Sequence, residues 1–71
     1  MDVKEAVEIK ESLRNEFFVG NWVVDSEGNE FKITEFVINN DPFMWDHINL
    51  WSRRGESVIG SGDLRYFIKR G

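Results

Sequence analysis

The sequence predicts an α+β fold: one N-terminal amphipathic helix followed by a strongly bent antiparallel sheet of four to five short strands. Three observations carry that prediction. Apolar residues recur at three- and four-residue steps up to Phe17, then change to strict alternation after Gly20. Turn residues punctuate the rest at close intervals: Gly28-Asn29, Asp41-Pro42, Gly55 and the Gly60–Gly62 region. The length, 71 residues, is that of one domain, with residues 1–18 as the helical region and residues 19–71 as the sheet.

Val3, Ala6, Ile9, Leu13 and Phe17 form one stripe on a helix whose other positions are charged. Asp2 followed by Glu5 is close to a capping box, so the helix is placed at about residues 2–16, with Asn15 and Gly20 bracketing its end. A helix of this length is marginal alone in water and needs a surface to lie against. NWVVD is a short strand, and SEGNE the turn of a hairpin. EFKITEFVI alternates Phe31 and Ile33 against Lys32 and Thr34, until Glu35 interrupts the pattern before Phe36 and Ile38. A bulge there exchanges the faces; otherwise Val37 continues the first face. NNDP is a loop around Pro42, the sole proline. WDHINLWS is a third strand, with Ile48 and Leu50 on one face and Trp45, His47, Asn49 and Trp51 on the other. RRGE is a tight turn at Gly55, and SVIGSGDL a fourth strand whose glycines mark a sharp bend. Asp63 is positioned to cap a single helical turn with Leu64 and Phe67 inward, and Ile68 to Arg70 form a last short strand.

Composition narrows the function classes. A chain this short buries only about 60% of its unfolded surface. The ten aromatic residues, six Phe, three Trp and one Tyr, are the expected source of core area. Cysteine is absent, so there is neither a disulfide nor a thiolate metal site, as suits a reducing cytoplasm. No apolar run approaches the ~18 residues needed to cross a bilayer. The charged opening MDVKEAVEIKE lacks the apolar core of a signal peptide, so a cytoplasmic location with no membrane partner is expected. The net charge of −4 is uneven: residues 1–40 hold nine acids and four bases, whereas residues 41–71 hold four acids and five bases. The first part repels phosphate and suits a basic partner.

Catalytic chemistry finds little support. His47 is the sole histidine, and none of the serines it would need, Ser12, Ser26, Ser52, Ser57 or Ser61, lies in a nucleophile elbow. Paired carboxylates need a cleft to separate their pKa values, and a domain this small rarely has one. One histidine and dispersed acids do not make a zinc site. DSEGNE lacks the ligand spacing of a calcium loop and reads as a turn. GSGD lacks the Lys-Ser/Thr and long helix of a phosphate loop. The expectation is no enzyme, with no catalytic residue, metal or cofactor.

The order of these pieces resembles an SH3-like small β-barrel of the KOW and Tudor kind. WVVDSEGNEFKI matches the first hairpin, INLWSRRGESVIG the second, and SGDLRYFI a strand, a one-turn helix and a last strand. The resemblance spans residues 19–71, rests on pattern rather than a diagnostic motif, and implies a barrel that binds rather than catalyses. The N-terminal helix lies outside it. The small size and acidic helix also resemble, in style, phage-encoded inhibitor proteins, some of which mimic DNA with carboxylates.

The stretch DPFMWDHINLWSRR gathers Phe43, Trp45 and Trp51 with Arg53 and Arg54. Two arrangements are open. Either the rings form an exposed apolar face rimmed by Asp46, Arg53 and Arg54, or the Ile9, Leu13 and Phe17 stripe covers them. Exposed Trp and Arg are common interface anchors. The favoured expectation is a non-enzymatic protein-binding module, a small regulator or inhibitor of a host protein carried by a phage or mobile element. Its anchors are Phe43, Trp45, Trp51, Arg53 and Arg54. A second candidate surface is the helix's acidic side: Glu5, Glu8, Glu11 and Glu16. The alternatives are a KOW-type nucleic-acid binder stacking bases on the rings, a cage for a methylated cation, an acidic DNA mimic, and a homodimer through the tryptophan face.

Overall fold

The structure is a computed structural model, described over residues 2–70. Helix α1 spans Val3–Glu16. The Asp2 carboxylate accepts the Glu5 N–H at 2.8 Å and so satisfies one of the free donors of the first turn. Five strands follow: β1 (Trp22–Val24), β2 (Glu30–Val37), β3 (His47–Ser52), β4 (Gly55–Gly60) and β5 (Ile68–Arg70). A 3₁₀ segment, Ser61–Tyr66, lies between β4 and β5. The strands form one antiparallel sheet in the order β4-β3-β2-β1-β5.

Each turn has a local cause. Gly28 at φ 85° and Gly55 at φ 132° supply backbone conformations that side-chain-bearing residues resist. The Asp25 carboxylate accepts the N–H groups of Glu27 and Asn29, each at 2.9 Å, closing the β1–β2 turn. Hydrogen bonds from the Asn29 side chain and backbone hold Asp25 below the usual carboxylate range. Of the two arrangements left open for β2, the bulge is the one present: Ile33 pairs with Leu50 but Glu35 pairs with Asn49, leaving Thr34 as the extra residue. The shift puts Phe31, Ile33 and Phe36 on the inner side with Ile48 and Leu50.

The core joins Leu13 and Phe17 of α1 to Val23, Ile33, Ile48 and Leu50 of the sheet and Leu64 of the 3₁₀ segment. Phe31 and Phe67 meet edge to face at 5.8 Å beside it. The helix therefore covers the inner face of the sheet, and the outer face stays bare.

Four expectations need correction. The sheet does not close into a barrel, because β4 and β5 are its two edges. The inner face is sealed instead by the α1 stripe and Leu64, and β5 is three residues long and pairs with β1. The third strand begins at His47 rather than Trp45, because Asp46 is drawn into the interior. The fourth strand ends at Gly60, where the chain turns into the 3₁₀ segment. Asp63 makes no capping bond; Gly60 occupies the cap position.

Candidate functional site

The loop from Ile38 to Asp46 crosses from β2 to β3 along the side of α1. It is fastened by charge. Asp46 is fully buried. Its carboxylate takes two hydrogen bonds from the Arg14 guanidinium, at 2.7 and 3.0 Å, and one from the Asn39 N–H at 2.8 Å. Lys10, also buried, stands 3.6 Å from the same carboxylate and donates to the carbonyl oxygens of Asn39 (2.7 Å) and Asp41 (2.8 Å). The Asp46 backbone is held by Ser61, whose hydroxyl accepts its N–H and whose N–H donates to its carbonyl. Burial by itself pushes the Asp46 carboxyl up. The Arg14 hydrogen bond, the Asn39 N–H and the charges of Arg14 and Lys10 outweigh it and hold the carboxyl below the usual range. Arg14 is correspondingly raised by its bond to Asp46. No buried side-chain polar atom among the described residues lacks a partner, the condition under which a buried ionic network is tolerated.

Between the two fastened ends, Asp41 organises the loop tip. Its carboxylate accepts the Phe43 N–H at 2.9 Å and its carbonyl the Met44 N–H at 3.1 Å. Three consecutive apolar side chains emerge from this tip: Phe43 60% exposed, Met44 54% and Trp45 37%. The Trp45 ring lies on Gly60 and Gly62, and Arg65 covers it with its guanidinium carbon 5.2 Å from the ring centre. A Cβ on Gly62 would fall 2.5 Å from Trp45 Cε2, so the glycine makes room for the indole. Between this tip and α1 runs an apolar cleft of about 190 Å³, lined by Ala6, Ile9, Lys10, Pro42 and the three tip residues.

Trp51 belongs to a second cluster. It stands 41% exposed at the far end of β3 from Trp45, on the bare outer face, and meets Trp22 edge to face at 6.1 Å. Lys32 lies opposite both tryptophans in the sheet. The turn after Trp51 carries Arg53 and Arg54, both exposed and neither in an ion pair among the described residues. With Trp22 and the Gly28–Glu30 turn they line an open groove of about 530 Å³.

The anticipated single aromatic face is thus two sites: Phe43 and Trp45 at one end, and Trp51, Arg53 and Arg54 at the other. The odd–even assignment holds within β3, where Ile48 and Leu50 are buried while His47 and Trp51 are exposed. Asp46 is not a rim residue but the centre of the interior network. Glu5, Glu8, Glu11 and Glu16 are all exposed on α1, and Glu8, Glu11 and Glu16 flank one shallow surface with Ser12 and Asn15.

Sequence reasoning missed Lys10, Arg14, Trp22, Met44 and Arg65. A signal for the first two was present: Lys10 and Arg14 are one helical turn apart, beside the apolar stripe, and an acid in the loop was needed to neutralise them. The stacking of Arg65 on Trp45 left no sequence signal.

Searches of family models, of curated proteins and of solved structures each find no match to this chain.

Proposed function

We propose that this protein is a non-enzymatic protein-binding module whose principal anchor is the Phe43–Met44–Trp45 tip. The carrying observation is an apparent contradiction in the loop. It exposes three large apolar side chains in a row, yet its backbone is fastened by buried Lys10 and Asp46 and half-buried Arg14. Apolar side chains left in water gain nothing for the free protein. Fixing their backbone lowers the entropic penalty of binding, which is what an interface requires. Trp45, braced by Gly62 and Arg65, supplies a rigid ring; Met44 supplies an adaptable surface. The adjoining cleft offers room for an apolar side chain of the partner, at the size of one side chain rather than a substrate.

The finer architectural reading is an opened SH3-like fold. Two successive hairpins, a 3₁₀ turn and a last strand returning to β1 support it. So does the bare outer face, because such folds bind through surfaces left free by the core. The role of a small regulator or inhibitor of a host protein, from a phage or mobile element and acting in the cytoplasm, remains part of the proposal and rests on size and the absence of catalytic groups.

A second reading has its own observation. The Arg53–Arg54 turn beside Trp22 and Trp51 combines free positive charge with aromatic rings, a pairing that suits single-stranded nucleic acid. The overall charge of −4 weighs against it.

The test is affinity capture from a host lysate with wild type, Phe43→Ala/Met44→Ala and Arg53→Ala/Arg54→Ala in parallel, followed by titration of the captured molecule. The expected result is a protein partner whose affinity falls at least tenfold in the first variant, with little salt dependence, and is retained in the second. A nucleic-acid partner lost by the arginine variant would replace the principal reading with the second.

A further inference from the structure

The two edges of the sheet are unlike. β5 has three residues, two of them basic; Lys69 is bonded to the Glu16 carbonyl at 2.7 Å and Arg70 is paired with Glu30. That edge is short, charged and tied to the rest of the molecule, as protected edges are. β4 is less protected, with Glu56 as its one charge. Its six residues, GESVIG, contain no proline and no lysine, and pair with β3 in unbroken register from Ser52↔Gly55 to His47↔Gly60. Val58 at its middle is 62% exposed.

The register shows which backbone groups are free. A two-residue turn makes Ser52 and Gly55 a hydrogen-bonded pair, so Ser57 and Ile59 also bond to β3. The N–H and C=O groups of Glu56, Val58 and Gly60 therefore point away from the sheet. The Gly60 carbonyl is taken by the first turn of the 3₁₀ segment that it caps, so the free groups are those of Glu56 and Val58 and the Gly60 N–H.

We infer that β4 is the interface of a homodimer, pairing antiparallel with β4 of a second copy about a two-fold axis through Val58. A second copy fits this edge better than an unrelated strand. With Val58 opposite Val58 of its partner, Glu56 falls opposite Gly60, so the Val58 N–H and C=O groups pair with each other and each Gly60 N–H meets a Glu56 carbonyl. No like charges face each other within the strand pair. The outer-face Val58 side chains meet across the axis, and the two sheets become one of ten strands. A six-residue strand pair buries less than the roughly 1,200 Å² of a stable interface, so the dimer is weak and concentration-dependent. Its Gly60 end lies against Trp45, but it uses neither Phe43 nor Met44 and does not depend on the function proposed for the tip.

Sedimentation velocity from about 10 μM to about 1 mM tests this. The wild type should move from 8.4 kDa toward twice that mass. Val58→Lys, which sets two ammonium groups against each other at an exposed position, should weaken dimerisation at least tenfold. Wild-type amide shifts at Glu56 and Val58 should change with concentration, a readout that needs no variant. A wild type that stays at 8.4 kDa throughout overturns the inference. So does a dimer that survives Val58→Lys but is broken by Trp51→Ala.

Discussion

Two residues show how side-chain chemistry sets this structure. Trp45 occupies space that only glycine leaves free, so Gly62→Ala must move the ring or the 3₁₀ segment. Overpacking of this kind costs about 1–3 kcal/mol. The variant should melt earlier and show altered tryptophan emission, and an unchanged melt and spectrum would mean the indole is not seated there. Asp46 is the other. Its folded pKa lies below the unfolded value of about 3.9. Its contribution to stability is thus complete above that pH and disappears as pH falls through the folded value. The raised Arg14 loses its part only at pH above the ordinary arginine range, outside any working condition. Asp46→Asn leaves two buried or half-buried cations without a counter-charge, at about 3 kcal/mol, or a midpoint lowered by more than ~10 °C. The difference between wild type and variant should shrink toward zero on acidification. Thermal melts of both proteins from neutral to acid pH check magnitude and direction together.

At the scale of elements, periodicity did most of the work and charge burial defeated it. The α1 stripe, the Asp2 cap and the β1–β2 and β3–β4 turns were legible because each depends on near neighbours in sequence, whereas the break at Glu35 left the β2 bulge as one of two arrangements. The start of β3 was not. Asp46 reads as a polar strand residue until Lys10 and Arg14, more than thirty residues earlier, are brought beside it. The splitting of the aromatic stretch follows directly, since Trp45 leaves the strand where Asp46 turns inward. The loop's dependence on α1 is testable by Lys10→Met, which keeps the buried stem and the Arg14–Asp46 pair but frees the Asn39 and Asp41 carbonyls. Two charge-assisted hydrogen bonds worth about 1.5–3 kcal/mol each are lost. Amide exchange should quicken at least tenfold across residues 39–45 while β1 and β2 keep their protection. Uniform acceleration would show that the loop has no local stability of its own.

The whole molecule is a sheet sealed on one side by a helix and left open on the other, with exposed aromatic side chains at its two ends. Closure of the barrel could not be read from strand spacing, because it depends on whether the helix or the terminal strands cover the inner face. The helix does so here, leaving β4 and β5 as edges. The division of labour proposed for the surfaces rests on one physical statement: the apolar tip between Pro42 and Asp46 is held still by ions buried beneath it. Backbone ¹⁵N relaxation of the free protein measures that directly. Order parameters for Phe43, Met44 and Trp45 close to the ~0.85 of rigid backbone are predicted, and values below ~0.6 would contradict it.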